Sequence, residues 1–299
     1  MSDTPLTFDG RVAIITGAGG GLGRCHALEL ARRGASIVVN DLGGAVDGTG
    51  GSATAAETVV AEIEAAGGTA VANADSIATP EGGQAVVQAA IDAFGKVDII
   101  INNAGILRDT SFKNMTADKV DPVLDVHLRG AFNVTQPAWQ LMKDQGYGRI
   151  ITTSSGAGLF GNFGQGNYGA AKMGLVGLTR VLAVEGAKNN IHANAIAPIA
   201  LTRMTEEILG AAADKLQPEQ ISPLVAYLTH ESCDRTGNIY SVGGGRVSRV
   251  FLGVTPGIVD AGLTAESIAA SIDQIDDTEG FFIPEKLNDE IKVIFEALS

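Results

Sequence analysis

Cysteine is scarce. Cys25 and Cys233 are the only two in 299 residues, which leaves no disulfide framework to build on. Cys25 falls in an apolar helical stretch and reads as a small buried hydrophobe. Basic residues are also few, 21 against 34 acidic, for a net charge of −13. Nucleic acid and anionic membrane surfaces both require a basic footprint, so neither is an expected partner. No run approaches the ~18 apolar residues that cross a bilayer. The N-terminus has no charged stretch leading into an apolar one, and the last residues, Ala297-Leu298-Ser299, are not the tripeptide read as a peroxisomal address. A cytoplasmic protein without membrane insertion is expected. His230-Glu231-Ser232-Cys233 is too incomplete for a metal centre, so no metal is expected. The 45% hydrophobic content is ample for a buried core and argues against disorder.

What is present begins near the N-terminus. Arg11-Val12-Ala13-Ile14-Ile15-Thr16 is a short β-branched run that reads as a buried parallel strand. Gly17-Ala18-Gly19-Gly20-Gly21-Leu22-Gly23 follows, then a helical stretch from Arg24 to Arg33. Strand, glycine turn and helix form the context in which a backbone approaches a pyrophosphate and a helix N-terminus meets its charge. A second strand, Ser36–Asn40, ends at Asp41. An acid there accepts hydrogen bonds from ribose hydroxyls and repels a 2′-phosphate, which selects NAD over NADP.

Farther along, Tyr168 and Lys172 are four residues apart, and Ser155 lies thirteen residues before the tyrosine. At i and i+4 on a helix, the phenol and the amine share a face. An ammonium beside a phenol favours phenolate and is expected to draw its pKa down from about 10 toward working pH. A serine hydroxyl nearby would steady a carbonyl oxygen.

Between these motifs, strand-like runs at Thr69–Ala72, Val97–Ile101, Arg149–Thr153, Ile191–Ile196 and Asn238–Val242 alternate with helical segments. The helices expected are 52–66, 80–94, one long helix over 117–142, and 165–188. The pattern predicts an α/β fold: a Rossmann-like, doubly wound parallel sheet of seven strands spanning 1–245. A C-terminal helical extension, 246–299, carries pieces near 265–275 and 284–298. It is expected to pack on the core or on a partner subunit.

Thr16-Gly17-x-x-x-Gly21-x-Gly23, Asn102-Asn103-Ala104-Gly105, Ser155 and Tyr168-x-x-x-Lys172, in this order, resemble the short-chain dehydrogenase/reductase family over about residues 8–245. Asn40-Asp41-Leu42-Gly43-Gly44, Gly105-Ile106-Leu107-Arg108-Asp109, Val126-His127-Leu128-Arg129-Gly130, Gly161-Asn162-Phe163-Gly164-Gln165 and Asn190-Ile191-His192 further resemble its (3R)-3-hydroxyacyl-CoA dehydrogenase branch. That branch forms one part of the multifunctional enzymes of fatty-acid β-oxidation, and a free-standing bacterial form of it is expected here. The resemblance implies that Tyr168 is the acid/base, that Lys172 lowers its pKa and binds the nicotinamide ribose, and that Ser155 holds the substrate oxygen. It also implies an NAD site from Gly17, Gly21, Leu22, Gly23, Asp41, Asp75, Ser76, Asn103, Gly105, Pro198 and Thr202. The small-molecule substrate is an acyl-CoA or, alternatively, a steroid-like alcohol; a non-catalytic NAD sensor is the reading from another class. Relatives assemble through the helices over 117–142 and 165–188, so a homodimer or homotetramer is expected. His127 stands where many members carry an asparagine that anchors a proton relay, and either joins that relay or is simply packed. Ile199 replaces a commoner glycine. Arg108, Lys113 and Arg203 either meet CoA phosphates or are solvated surface charges.

Overall fold

The computed structural model describes residues 5–202 and 214–297. Arg203 therefore lies outside the described residues. The chain divides into two compact units, Met1–Arg249 and Val250–Ser299.

The first unit is built on one sheet. Its strands are β1 (Val12–Thr16), β2 (Ser36–Asn40), β3 (Thr69–Asn73), β4 (Ile99–Asn102), β5 (Gly148–Thr153), β6 (Ile191–Pro198), β7 (Ile239–Gly243) and β8 (Arg246–Val250). They lie in the order β3-β2-β1-β4-β5-β6-β7-β8, and β1 to β7 pair in parallel. The helices are α1 (Gly21–Arg32), α2 (Thr54–Ala65), α3 (Pro80–Phe94), α4 (Ala117–Leu124), α5 (Gly130–Gln145), α6 (Gly156–Phe160), α7 (Gly166–Gly186) and α8 (Ser222–Thr229).

The period-2 alternation of a strand decides which residue meets which helix layer. Ala13 and Ile15 of β1, Ile37 and Val39 of β2, and Ile99 and Ile101 of β4 pack with Leu30, Val59, Ile63 and Leu228 from α1, α2 and α8. Their neighbours Val12, Ile14, Val38 and Ile100 face Val86, Ala90, Val134 and Met142 from α3 and α5. All five β1 residues are buried. Each wholly buried isoleucine contributes about 1.5–3 kcal/mol relative to exposure, and the strands can be apolar throughout because both faces are covered.

The strand order reverses between β1 and β4, so a crevice opens at the carboxyl ends of these strands. The glycine loop, Asp41, the segment after β4 and Ser155 after β5 all emerge at this end.

Two expectations are corrected. The sheet has eight strands, not seven. The eighth returns from β7 through Gly244-Gly245, whose φ values of 57° and 77° suit a two-residue hairpin. Arg246-Val247-Ser248-Arg249-Val250 is largely exposed, and an edge strand guarded by arginines leaves little apolar signal in sequence. The long helix over 117–142 is interrupted: Asp125–Arg129 forms a π-helical turn between α4 and α5. Apolar spacing does not reveal one extra residue in a turn, and such bulges often mark functional positions.

In the second unit, α9 (Ala265–Ala270), α10 (Ile272–Asp276) and α11 (Leu287–Ala297) follow an irregular stretch. Val254 and Phe282 exchange backbone hydrogen bonds at 2.9 and 3.0 Å. The rings of Phe251 and Phe281 stack at 5.6 Å. Thr264 and Ser267 form a capping box at the start of α9. No helix among the described residues is long and apolar enough to cross a membrane.

Candidate active site

The glycine loop takes its shape from its contacts. Gly17 has φ 64°, and a Cβ there would lie 2.7 Å from the Ala104 Cα, so a side chain is excluded twice over. A Cβ at Gly19 would meet the Asp41 carboxyl at 2.8 Å, and one at Gly23 would meet the Gly17 carbonyl oxygen at 2.2 Å. Helix α1 then begins at Gly21 with no side-chain cap and no acid in its first turn. Its first amides and the positive end of its dipole remain available to an anion. Thr16 secures the loop from below: its Oγ1 accepts from the amides of Asn103 and Ala104, both at 3.1 Å.

Asp41 joins two loops. One carboxylate oxygen accepts from the Gly19 amide and the other from the Gly43 amide, each at 2.7 Å. Each oxygen retains a further lone pair for a ribose hydroxyl. Asp75 is held by Asn73, whose Nδ2 donates to its carboxylate at 2.7 Å. Asn40 donates to the Asp75 carbonyl at 3.0 Å.

At the other end, β5 runs out into Ser154 and Ser155. Ser154 is buried, and its hydroxyl donates to the Lys172 carbonyl at 2.8 Å. Ser155 is half-buried and caps α6, its Oγ accepting from the Ala157 amide at 3.2 Å. Tyr168 and Lys172 project from one face of α7. The Lys172 Nζ lies 5.4 Å from the Tyr168 ring centroid and donates to the Thr153 carbonyl at 2.6 Å. The His127 ring meets the Tyr168 ring edge-on at 5.2 Å.

One cavity of about 470 Å³ joins these parts. Gly17, Gly21, Leu22, Asp41, Asp75, Ser76, Asn103, Gly105, Ser155, Tyr168, Lys172, Pro198 and Thr202 all line it. Of the residues expected from sequence, Gly23 is the one outside the lining. It sits within α1, where lack of a side chain lets the helix close on the loop. Asn103 reaches the wall, but its amide serves the loop, donating to the carbonyls of Thr16 and Gly17 at 3.1 and 3.2 Å. Thr153 and Val46 also line the cavity without a direct signal in the sequence, and His127, open between a relay role and simple packing, lines it too. Thr153 contributes a backbone oxygen, for which side-chain patterns give no signal; the 43–51 glycine run was the available hint of a loop near Val46.

The electrostatics differ from the sequence expectation. Burial pushes the Tyr168 phenol above its usual 10; a hydrogen bond with Ser155 works against that rise and the Asp109 carboxylate adds to it. Burial pulls Lys172 down to about 7. Lys172 therefore does not draw the tyrosine down in this state. It is wholly enclosed, so desolvation acts on its own charge first. His127 is held well below its ordinary value by burial and by the charge of Lys172. It is a neutral ring whose Nε2 faces the amide and carbonyl of Ile106 at 3.0 and 2.8 Å. Its Nδ1 and the Thr153 Oγ1 are buried without a protein partner. A Cβ at Gly105 would lie 2.2 Å from the His127 ring, so that glycine lets the imidazole reach the Ile106 backbone.

Ile199 tolerates the place of the commoner glycine. Asn190 is the described non-glycine residue with positive φ, so Ile199 has ordinary backbone geometry, and its amide donates to the Val242 carbonyl at 2.8 Å. Arg108 lines the cavity, and its Nε and Nη1 donate to the carbonyls of Asp47 and Asp118 at 3.0 and 2.7 Å. Lys113 is exposed. Among the described residues, no cluster of three or more His, Cys, Asp or Glu is placed to hold a metal.

This combination of sheet, glycine loop and Ser-Tyr-Lys end defines an oxidoreductase class, and the comparisons agree. The short chain dehydrogenase family model matches residues 11–212. The chain belongs to that family and is an oxidoreductase. It is 47% identical over 300 residues to peroxisomal multifunctional enzyme type 2 of Mus musculus, covering 99% of this chain and 40% of the mouse protein. It is 53% identical over 272 residues to a short-chain type dehydrogenase/reductase of Mycobacterium tuberculosis, covering 90% of this chain and 95% of that one. The structure of full-length peroxisomal multifunctional enzyme type 2 from Drosophila melanogaster superposes with a TM-score of 0.82 at 37% identity, over 98% of this chain and 50% of that chain. The chain thus spans less than two thirds of the mouse and fly proteins.

Proposed function

We propose that this chain is an NAD-dependent dehydrogenase interconverting (3R)-3-hydroxyacyl-CoA and 3-oxoacyl-CoA. The observation that carries the reading is the single cavity with Ser155, Tyr168 and Lys172 at one end and Asp41 with the glycine loop at the other. The residues fit a dinucleotide: the uncapped start of α1 suits a pyrophosphate, and Asp41 suits a ribose with free hydroxyls. When bound, the nicotinamide ring supplies the hydride acceptor.

The protein's residues then handle the proton and the oxygen. Tyr168, as phenolate, takes the substrate hydroxyl proton onto its oxygen. Ser155 donates a hydrogen bond to the same substrate oxygen as it becomes a carbonyl. In its protonated form Lys172 places a positive charge 5.4 Å from the Tyr168 ring, which favours the phenolate. The reverse direction uses Tyr168 as the acid.

Similarity to the mouse and fly multifunctional enzymes supports an acyl-CoA substrate. A kinetic comparison of (3R)-3-hydroxybutyryl-CoA with a hydroxysteroid tests it: the thioester is expected to be turned over at least ~10-fold more efficiently, and a preference for the steroid would replace this reading. NADH binding without turnover of either would favour a sensor.

For the cofactor, Asp41→Ala is expected to lower kcat/KM with NAD about tenfold or more and to narrow the NAD-to-NADP ratio. An unchanged ratio would remove Asp41 from cofactor choice. A homo-oligomer through α5 and α7 is supported by the exposure of Phe132, Val181 and Val184. Val123, Leu175, Val176 and Leu178, by contrast, are buried within the chain.

A further inference from the structure

The five residues that follow Gly105 are bonded, one after another, to different parts of the site. The Ile106 amide and carbonyl lie 3.0 and 2.8 Å from His127 Nε2, which bonds one or the other according to its tautomer. The Leu107 amide donates to the Val46 carbonyl at 2.9 Å. The Arg108 guanidinium donates to the Asp47 carbonyl at 3.0 Å and to the Asp118 carbonyl at 2.7 Å. The Asp109 carboxylate accepts from Gln165 Nε2 at 2.7 Å. The Thr110 amide donates to the Gly164 carbonyl at 2.8 Å, and Thr110 and Gln165 form a parallel bridge. Asn167, beside the tyrosine, adds a cross-tie by donating to the carbonyls of Arg108 and Lys119 at 3.0 and 2.7 Å.

The two ends of this segment serve different halves of the pocket. Val46 and Asp47 belong to the loop that starts at Asp41, and that loop closes on itself through Ser52 amide to Leu42 carbonyl and Ala45 amide to Thr49 carbonyl, both at 2.8 Å. Gln165 is buried and stands immediately before α7, three residues ahead of Tyr168. It is itself held by Asn162 at 2.9 Å and does not line the cavity.

We propose that residues 106–110 are a strap that couples the dinucleotide wall to the tyrosine helix, with Arg108 and Gln165 as positioning residues at its two ends. The proposal rests on the dehydrogenase reading above. Ordering of the 41–52 loop over a nucleotide fixes the strap, and the strap fixes the start of α7. Each end needs the other because the ties run through one short backbone segment rather than through independent supports.

The test uses the full chain, NADH as the binding probe and steady-state turnover as the second readout. Gln165→Ala, remote from the 41–52 loop, is expected to raise the NADH Kd about three- to tenfold. Arg108→Ala is expected to raise that Kd and lower kcat, each about tenfold. Arg108→Lys, with one ammonium for two carbonyls, should recover part of both losses. The double variant should lose less than the product of the single losses, as residues of one connected unit do. An NADH Kd in Gln165→Ala within experimental error of wild type, with Gln165→Glu and Arg108→Lys also unchanged in both readouts, would overturn the coupling. So would strictly multiplicative losses. A wild-type protein that binds NADH but turns over no alcohol would defeat the dehydrogenase reading while the Kd comparison still judges the strap; failure to bind NADH would overturn both.

Discussion

Tyr168→Phe lowers turnover by roughly 10³-fold, the scale of a lost general acid–base group, while the NADH Kd moves less than about threefold. The substitution removes a single oxygen. The ring that meets His127 edge-on at 5.2 Å and lies near Lys172 remains, so the pocket keeps its shape. The phenol is also costly to ionise: burial and Asp109 raise its pKa above 10. Alcohol oxidation, which needs phenolate, should therefore accelerate as pH rises through the alkaline range, whereas ketone reduction needs the phenol and should not. Pre-steady-state and steady-state rates with NAD, together with NADH titration, check both statements. Turnover within about tenfold of wild type would place the base elsewhere.

The second large effect is on stability. Lys172→Met should abolish turnover yet make the ligand-free protein more stable at about pH 6, by roughly 2 kcal/mol. Lys172 is buried and its pKa falls from 10.5 to about 7. Between those values the unfolded chain holds a proton that the folded chain has released, so stability rises with pH across that window. Below about 7 both states are protonated, and the folded state carries the whole cost of an enclosed ammonium. The gain from methionine is therefore largest at the acidic end and shrinks as pH climbs toward 10.5. Part of it is offset because the Thr153 carbonyl loses its 2.6 Å donor. Urea denaturation at about pH 6 and about pH 9.5 measures the difference. A variant less stable than wild type at both would contradict the assignment of Lys172 as a destabilising functional charge. Such a result would instead make it a net structural residue.

The sequence was most readable where local chemistry repeats a global rule. Pro80–Phe94 was bounded correctly because its ends are marked. Thr79 caps the first turn by accepting from the Gly82 amide, proline opens the helix, and Gly95 leaves it at φ 78°. The β-branched strands were legible because both of their faces are buried. The site's parts were recognisable by spacing, since an i, i+4 pair must share a helix face. What escaped depended on long-range packing. The π turn at Asp125–Arg129 is a change of helical phase within an otherwise regular apolar pattern. The β8 edge strand is polar and exposed. The inversion of the expected Tyr168 shift follows from how deeply the phenol itself is buried, with the Asp109 carboxylate adding to the rise, and residue spacing does not encode either. The sequence leaves Arg108 open between phosphate contact and solvated charge; in the structure it lines the cavity while its Nε and Nη1 donate to two backbone carbonyls.

The most direct test is absorbance of the reduced nicotinamide after wild type and Tyr168→Phe are each mixed with NAD and (3R)-3-hydroxybutyryl-CoA, with the (3S) isomer as control. The account predicts a rapid rise for wild type with the (3R) thioester, almost none for Tyr168→Phe, and NADH binding retained in both. Equal rates in wild type and variant, or no reduction by wild type across thioester and steroid alcohols, would contradict it.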